Sequence, residues 1–152
     1  MGGTIVCAVG DSPEARSAVE LATALRARLG LRLVLVAVVD GVAPAAEESV
    51  TARQRQTGAE LTLRELARES GDDTETRMVL GHQVEALAQV AAEEAADVIV
   101  VGSRLAGLGN RMLRSPLARD LEAATPVPVL VAPPSTRKRS DQRLAAPAGA
   151  AR

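Results

Sequence analysis

Hydrophobic and polar positions along this chain switch back and forth between two periods. Residues 4–9 are a short, β-branched apolar run that reads as a buried strand. Asp11-Ser12-Pro13-Glu14 follows with the signals of a helix start: a capping residue, a proline in the first turn and an acid near the positive end. Ala18, Val19, Ala22, Leu25 and Leu29 then fall on one helical face, and Gly30 closes the helix. Residues 31–39 are nearly all apolar, too long a run for an exposed strand, and predict a strand inside a sheet covered on both faces. After a loop at 40–44, residues 45–69 predict a second, more polar helix. It is expected to loosen near Gly58 and to draw its apolar contacts from Leu61, Leu63 and Leu66.

The alternation continues to residue 131. Residues 74–80 predict a third strand, and Gly81 turns the chain into a third helix with Val84, Leu87, Ala88, Ala91 and Ala95 as its core stripe. Asp97 leads into a fourth strand at 98–101. Residues 102–114 form a loop holding three glycines, and Ser115-Pro116 opens a fourth helix that Thr125-Pro126 ends before a fifth strand at 127–131. Strands alternating with helices in this way predict an α/β fold: a doubly wound, five-stranded parallel sheet with helices on both faces and right-handed crossovers. In such sheets ligands sit beyond the carboxyl ends of the strands, where the strand order reverses. That points to residues 10–12, 40–42, 81–82 and 102–115.

Composition narrows the choices. The 152 residues suffice for one domain with its own core, and they are 47% hydrophobic and 24% charged. There is no Phe, Tyr or Trp, so folds that stack bases on aromatic platforms are excluded. One Cys and one His cannot build a disulfide framework or a Cys/His zinc site. Cys7 is expected to be a small core residue. No apolar run reaches the length of a membrane span, and no basic segment precedes the first strand, so neither a transmembrane helix nor a signal peptide is expected. With a lone thiol, the expected compartment is the cytoplasm. Charge is unevenly placed: residues 1–132 carry net −5, whereas residues 133–152 carry five basic side chains and one acid. The chain thus divides into a folded body at 1–132 and a basic tail at 133–152, expected to be disordered, with nucleic-acid contact not expected.

The loop after the fourth strand concentrates the chemistry. From Val98 to Arg119 there are four arginines (104, 111, 114 and 119) and no acid. Gly102, Gly107 and Gly109 permit close backbone approach, and the loop feeds a helix N-terminus, so a phosphate site is one reading and a connection with solvated arginines the other. The only lysine is Lys138, which removes Walker and kinase chemistry, and no nucleophile–base pair can be assembled. No enzymatic activity is therefore expected, although slow ATP hydrolysis is left open. His82 is read as a solvated loop residue over a proton carrier, and Asp11 as a helix cap over a ribose contact.

The chain resembles the universal stress protein family over residues 4–132. The resemblance rests on Val6-Cys7-Ala8-Val9-Gly10-Asp11-Ser12-Pro13-Glu14, on Ala96-Asp97-Val98-Ile99-Val100-Val101-Gly102-Ser103-Arg104, and on Thr125-Pro126-Val127-Pro128-Val129-Leu130-Val131. It implies the strand order 3-2-1-4-5 and a homodimer through the fifth strand, using Val129, Leu130 and Val131. Members that bind ATP carry G-x-x-G, nine residues, then G-[ST]. Here Gly102 matches the first position, Leu105 takes the second, and Ser115-Pro116 stands at the last pair. Asp and Gly after the first strand are also reversed, as Gly10-Asp11.

The favoured expectation is a homodimeric stress-response or regulatory module of this family with weak or lost nucleotide binding and an unknown protein partner. It requires no cofactor. The alternative is an adenine-nucleotide binder, taking ATP with its magnesium, on a rebuilt phosphate loop at 102–116. If binding is retained, its residues are Gly10, Asp11, Val38, Gly102, Ser103, Arg104, Gly107, Gly109 and Ser115.

Overall fold

The computed structural model describes residues 2–10, 13–39, 48–103 and 116–133. Five strands and four helices alternate: β1 (Thr4–Val9), α1 (Pro13–Leu29), β2 (Arg32–Val39), α2 (Glu48–Ser70), β3 (Glu75–Leu80), α3 (Gln83–Glu93), β4 (Val98–Gly102), α4 (Pro116–Ala124) and β5 (Val129–Ala132). The strands form one sheet in the order β3-β2-β1-β4-β5, parallel throughout.

Strand alternation sorts the core into two layers. Ile5 and Cys7 of β1, Leu33, Leu35 and Ala37 of β2, and Val100 of β4 face α1 and α2. They pack there with Ala18, Val19 and Ala22 of α1 and Leu63 and Leu66 of α2. Their neighbours Val6, Ala8, Val34, Val36, Ile99 and Val101 face the other way, against Leu87, Val90 and Ala91 of α3 and Ala118 and Leu121 of α4. The three central strands have no polar face because both faces are covered. The small α1 residues Ala18 and Ala22 let that helix sit close on the sheet where no aromatic side chain fills the space.

Local signals explain the ends. Pro13 occupies the first turn of α1, with Glu14 in the same turn and Arg26 and Arg28 in the last, all in the sense that suits the helix dipole. Gly30 ends the helix at φ 65°, its amide donating to the Arg26 carbonyl at 2.8 Å. Arg26 also reaches the α2–β3 turn, donating to Thr74 Oγ1 at 2.7 Å and to the Ser70 carbonyl at 3.3 Å.

Several expectations shift. α2 runs unbroken through Gly58. Leu29 and Leu61, expected on apolar faces, are 63% and 60% exposed, because Leu29 lies past the last turn that touches the sheet and Leu61 points away from Leu63 and Leu66. The buried stripe of α3 is Ala86, Leu87, Val90 and Ala91. Ala95 falls outside the helix, at φ 50°, where the Ala96 amide closes back on the Ala91 carbonyl at 2.8 Å. β5 begins at Val129, two residues later than the pattern suggested, since Pro128 has no N–H for the ladder. The tail at 134–152 lies outside the described residues.

Candidate functional site

A cleft of about 730 Å³ opens at the carboxyl ends of β1 and β2, with the middle of α2 as its far wall. Its floor is Val9 and Gly10 after β1 and Ala37, Val38 and Val39 of β2. Its wall is Gln54, Arg55, Gly58, Ala59 and Thr62. The helix is held over the strands by Leu63 and Leu66, which are buried against the sheet one turn further on. The volume lies in the range of small-molecule sites. The floor is apolar apart from its backbone groups, and Arg55 is the single charged residue of the described lining.

A second element of the site lies at the end of β4. A Cβ on Gly102 would come within 3.0 Å of the Ala15 nitrogen and closer still to the Glu14 carbonyl. Only glycine lets the first turn of α1 pass this close to β4, so Gly102 sets the spacing of the two elements that flank the crevice. Ser103 follows. Its hydroxyl is shut off from solvent with no hydrogen-bond partner among the described residues, an arrangement that costs free energy unless something else meets it. α4 starts at Pro116, which supplies neither an N–H nor a hydroxyl at that position.

Of the residues expected to bind a nucleotide, Gly10 and Val38 line the cleft. Gly102 and Ser103 stand at the end of β4, across the sheet's switch point between β1 and β4. Asp11, Arg104, Gly107, Gly109 and Ser115 lie outside the described residues, as does Leu105. Val129, Leu130 and Val131 are on β5, which pairs with β4 on one side and ends the sheet on the other. Leu130 is 40% exposed there. The pattern of strands and loops missed the α2 residues altogether. The signal available was the polarity of that helix, which has a wall to line as well as a core to cover.

None of the other described titratable side chains lines the cleft. His82 is the exposed N-cap residue of α3, and its side chain makes no capping hydrogen bond. At the opposite end of the sheet, Arg32 donates from Nε to Glu75 at 2.9 Å and also pairs with Glu94, while Arg77 joins Glu93 and Glu94. Hydrogen bonds from Arg77 and then Gln89 hold the Glu93 carboxyl below its usual range. This network ties β2 and β3 to the end of α3. Cys7 is fully buried, and desolvation pushes its thiol up to about 12. Among the described residues no group of three or more His, Cys, Asp or Glu side chains gathers to hold a metal. No described helix is long and apolar enough to cross a membrane.

Compared with known families, the sequence matches the one described as the universal stress protein family over residues 1–133. No curated protein matches it. Among solved structures, a protein of the universal stress protein family from Burkholderia pseudomallei is similar at 25% identity and a TM-score of 0.68, over 88% of this chain and 96% of that one. A universal stress protein family protein from Arabidopsis thaliana with AMP bound is similar at 20% identity and a TM-score of 0.63, over 90% and 94%. The universal stress protein from Archaeoglobus fulgidus in complex with dAMP is similar at 20% identity and a TM-score of 0.59, over 86% and 97%.

Proposed function

The chain belongs to the universal stress protein family, and from that premise we propose that it is a homodimeric stress-response module whose adenine-nucleotide binding is weak or lost and which has no enzymatic activity of its own. The observation that carries this reading is the start of α4 at Pro116. The cleft floor at Val9, Gly10 and Val38 offers an apolar bed for a base, and Gly102 keeps β4 and α1 close. The helix end that would receive phosphates has lost its first N–H and has no hydroxyl in that position. Two similar proteins, with AMP and with dAMP, support an adenine ligand for the fold. No cofactor is required for the role, and ATP with its magnesium is a weak ligand.

Homodimerisation is supported by β5. It is a short apolar edge whose outer side has no strand beside it in the sheet, and Leu130 is part-exposed on it. An unpaired apolar edge invites a second strand.

The absence of Trp and Tyr makes the nucleotide test direct, because bound adenine would dominate the ultraviolet spectrum of the purified protein. Little absorbance near 260 nm is expected. Millimolar ATP acting at a millimolar Kd stabilises by only about 0.4 kcal/mol, so the melting temperature should barely move. The triple variant Leu105→Gly, Ser115→Gly, Pro116→Ser should bind better. A stoichiometric nucleotide in the unaltered protein would instead favour a rebuilt phosphate loop at 102–116, a reading that the orphaned Ser103 hydroxyl also supports.

A further inference from the structure

β3 is the least anchored of the long strands. It lies at the edge of the sheet and pairs only with β2. None of its six residues is buried, whereas β1, β2 and β4 have buried centres. α2 lies over one face of β3, against Met78, while α3 lies over β1 and β2. On the other face Val79 touches the second core layer, and the rest of the span to α3 is ionic. Arg77 crosses it to Glu93 and Glu94, and Arg32 of β2 pairs with both Glu75 of β3 and the same Glu94. Glu94 is the hub of this cluster. It takes a guanidinium from each strand and, at 17% exposed, is the most enclosed of the five side chains. The backbone beside it is constrained, with Ala95 at φ 50°, a left-handed conformation that alanine rarely adopts.

β3 also follows directly on α2, which is the far wall of the cleft. Exposed ion pairs contribute little one at a time and weaken as salt is raised. On an edge strand with one neighbour and no buried residue, however, several such pairs are a large share of what resists local opening. We infer that the cluster centred on Glu94 is a salt-sensitive latch on the α2–β3 segment. Rising ionic strength screens Arg32 and Arg77 from Glu75, Glu93 and Glu94. β3 then parts from β2 while β1 and β4 stay paired, and the cleft wall loosens with it. The device acts from the opposite end of the sheet and is independent of what the cleft binds.

Native-state hydrogen exchange of the full chain tests this. The Gly81 amide donates to the Val39 carbonyl at 3.0 Å, and the parallel ladder turns the Val79 and Arg77 amides the same way. These three report on β3, and Val6 and Cys7 report on the central strand. Raising sodium chloride from about 0.01 M to about 1 M shortens the screening length from about 30 Å to about 3 Å. Exchange at Arg77, Val79 and Gly81 should then rise roughly tenfold, the scale of losing several exposed pairs together. The α2 amides of Leu63 and Leu66 should follow by a smaller factor, and Val6 and Cys7 should not change. Glu94→Gln should bring the low-salt β3 rates close to the high-salt ones and remove most of their salt dependence. Glu75→Gln, at a more exposed position, should give a smaller change of the same sign. Arg64→Ala, which removes the Glu60–Arg64 pair within α2, should leave the β3 rates as they are. Exchange of β3 in step with Val6 and Cys7 at every salt concentration overturns the inference, as does a salt response that persists in full in Glu94→Gln. A response of β3 without α2 overturns the coupling to the cleft wall.

Discussion

Asp97 and Thr4, 93 residues apart, exchange two hydrogen bonds: the Thr4 amide donates to Asp97 Oδ2 at 2.8 Å, and the Asp97 amide donates to the Thr4 carbonyl at 2.8 Å. Together they start β1 and β4 in register at the bottom of the sheet. Gly3 leaves room for the carboxylate, since a Cβ there would lie 2.5 Å from the same Oδ2. Thr4 is buried, so its amide has no ready replacement by water. Asp97→Ala should cost about 1–3 kcal/mol, the penalty of an orphaned buried donor. Asp97→Asn keeps an acceptor oxygen and should cost less. Denaturant unfolding followed by circular dichroism measures both, and equal losses for the two variants would show that the hydrogen bond is not what matters.

Gly58 sits in the middle of α2, where a Cβ would meet nothing within 4 Å. Glycine in a helix interior is worse than alanine by about 0.8–1.0 kcal/mol. Gly58→Ala should therefore raise stability by nearly that amount. A loss of stability would mean that α2 needs its glycine for a bend or a close contact.

Cys7 provides a pH signature. Its thiol is held up to about 12 by burial, against an ordinary value of 9.0. Above pH 9 the unfolded chain releases this proton while the folded chain retains it, so the folded state binds more protons and stability falls as pH rises. The slope approaches about 1.4 kcal/mol per pH unit between roughly pH 9 and 12. No tyrosine and a single lysine, Lys138, leave few other groups to titrate in that window. Cys7→Ala should flatten the curve of unfolding free energy against pH, and an unchanged slope would assign the loss to another group. A thiol reagent at pH 8 should react only in denaturant.

The free side of β5 carries the dimer prediction. Val129→Lys places a charge on the edge beside Leu130 and should shift the sedimentation coefficient towards the monomer at micromolar concentration. A monomer already present in the unaltered protein would remove the proposal. A dimer indifferent to the substitution would place its interface elsewhere.

The sequence by itself determined which segments become strands and helices, that the central strands are buried on both faces, and that Cys7 belongs to the core. These are local properties: period, turn chemistry and runs such as Val98–Val101 are written in neighbouring residues. The order β3-β2-β1-β4-β5 was implied by resemblance to a family, and the sheet has that order. Tertiary structure alone decided which apolar residues are covered. Leu29 falls on the same face of α1 as Ala18, Ala22 and Leu25, yet it is exposed, because burial depends on what packs opposite. Tertiary structure also brought Asp97 to Thr4 and the first turn of α1 onto Gly102, contacts between segments distant in the chain. The cleft belongs to this second class. Gly10 and Val38 could be named from their places at strand ends, whereas Arg55 joins them only because Leu63 and Leu66 hold α2 against the sheet and so swing the preceding turns of that helix over the ends of β1 and β2.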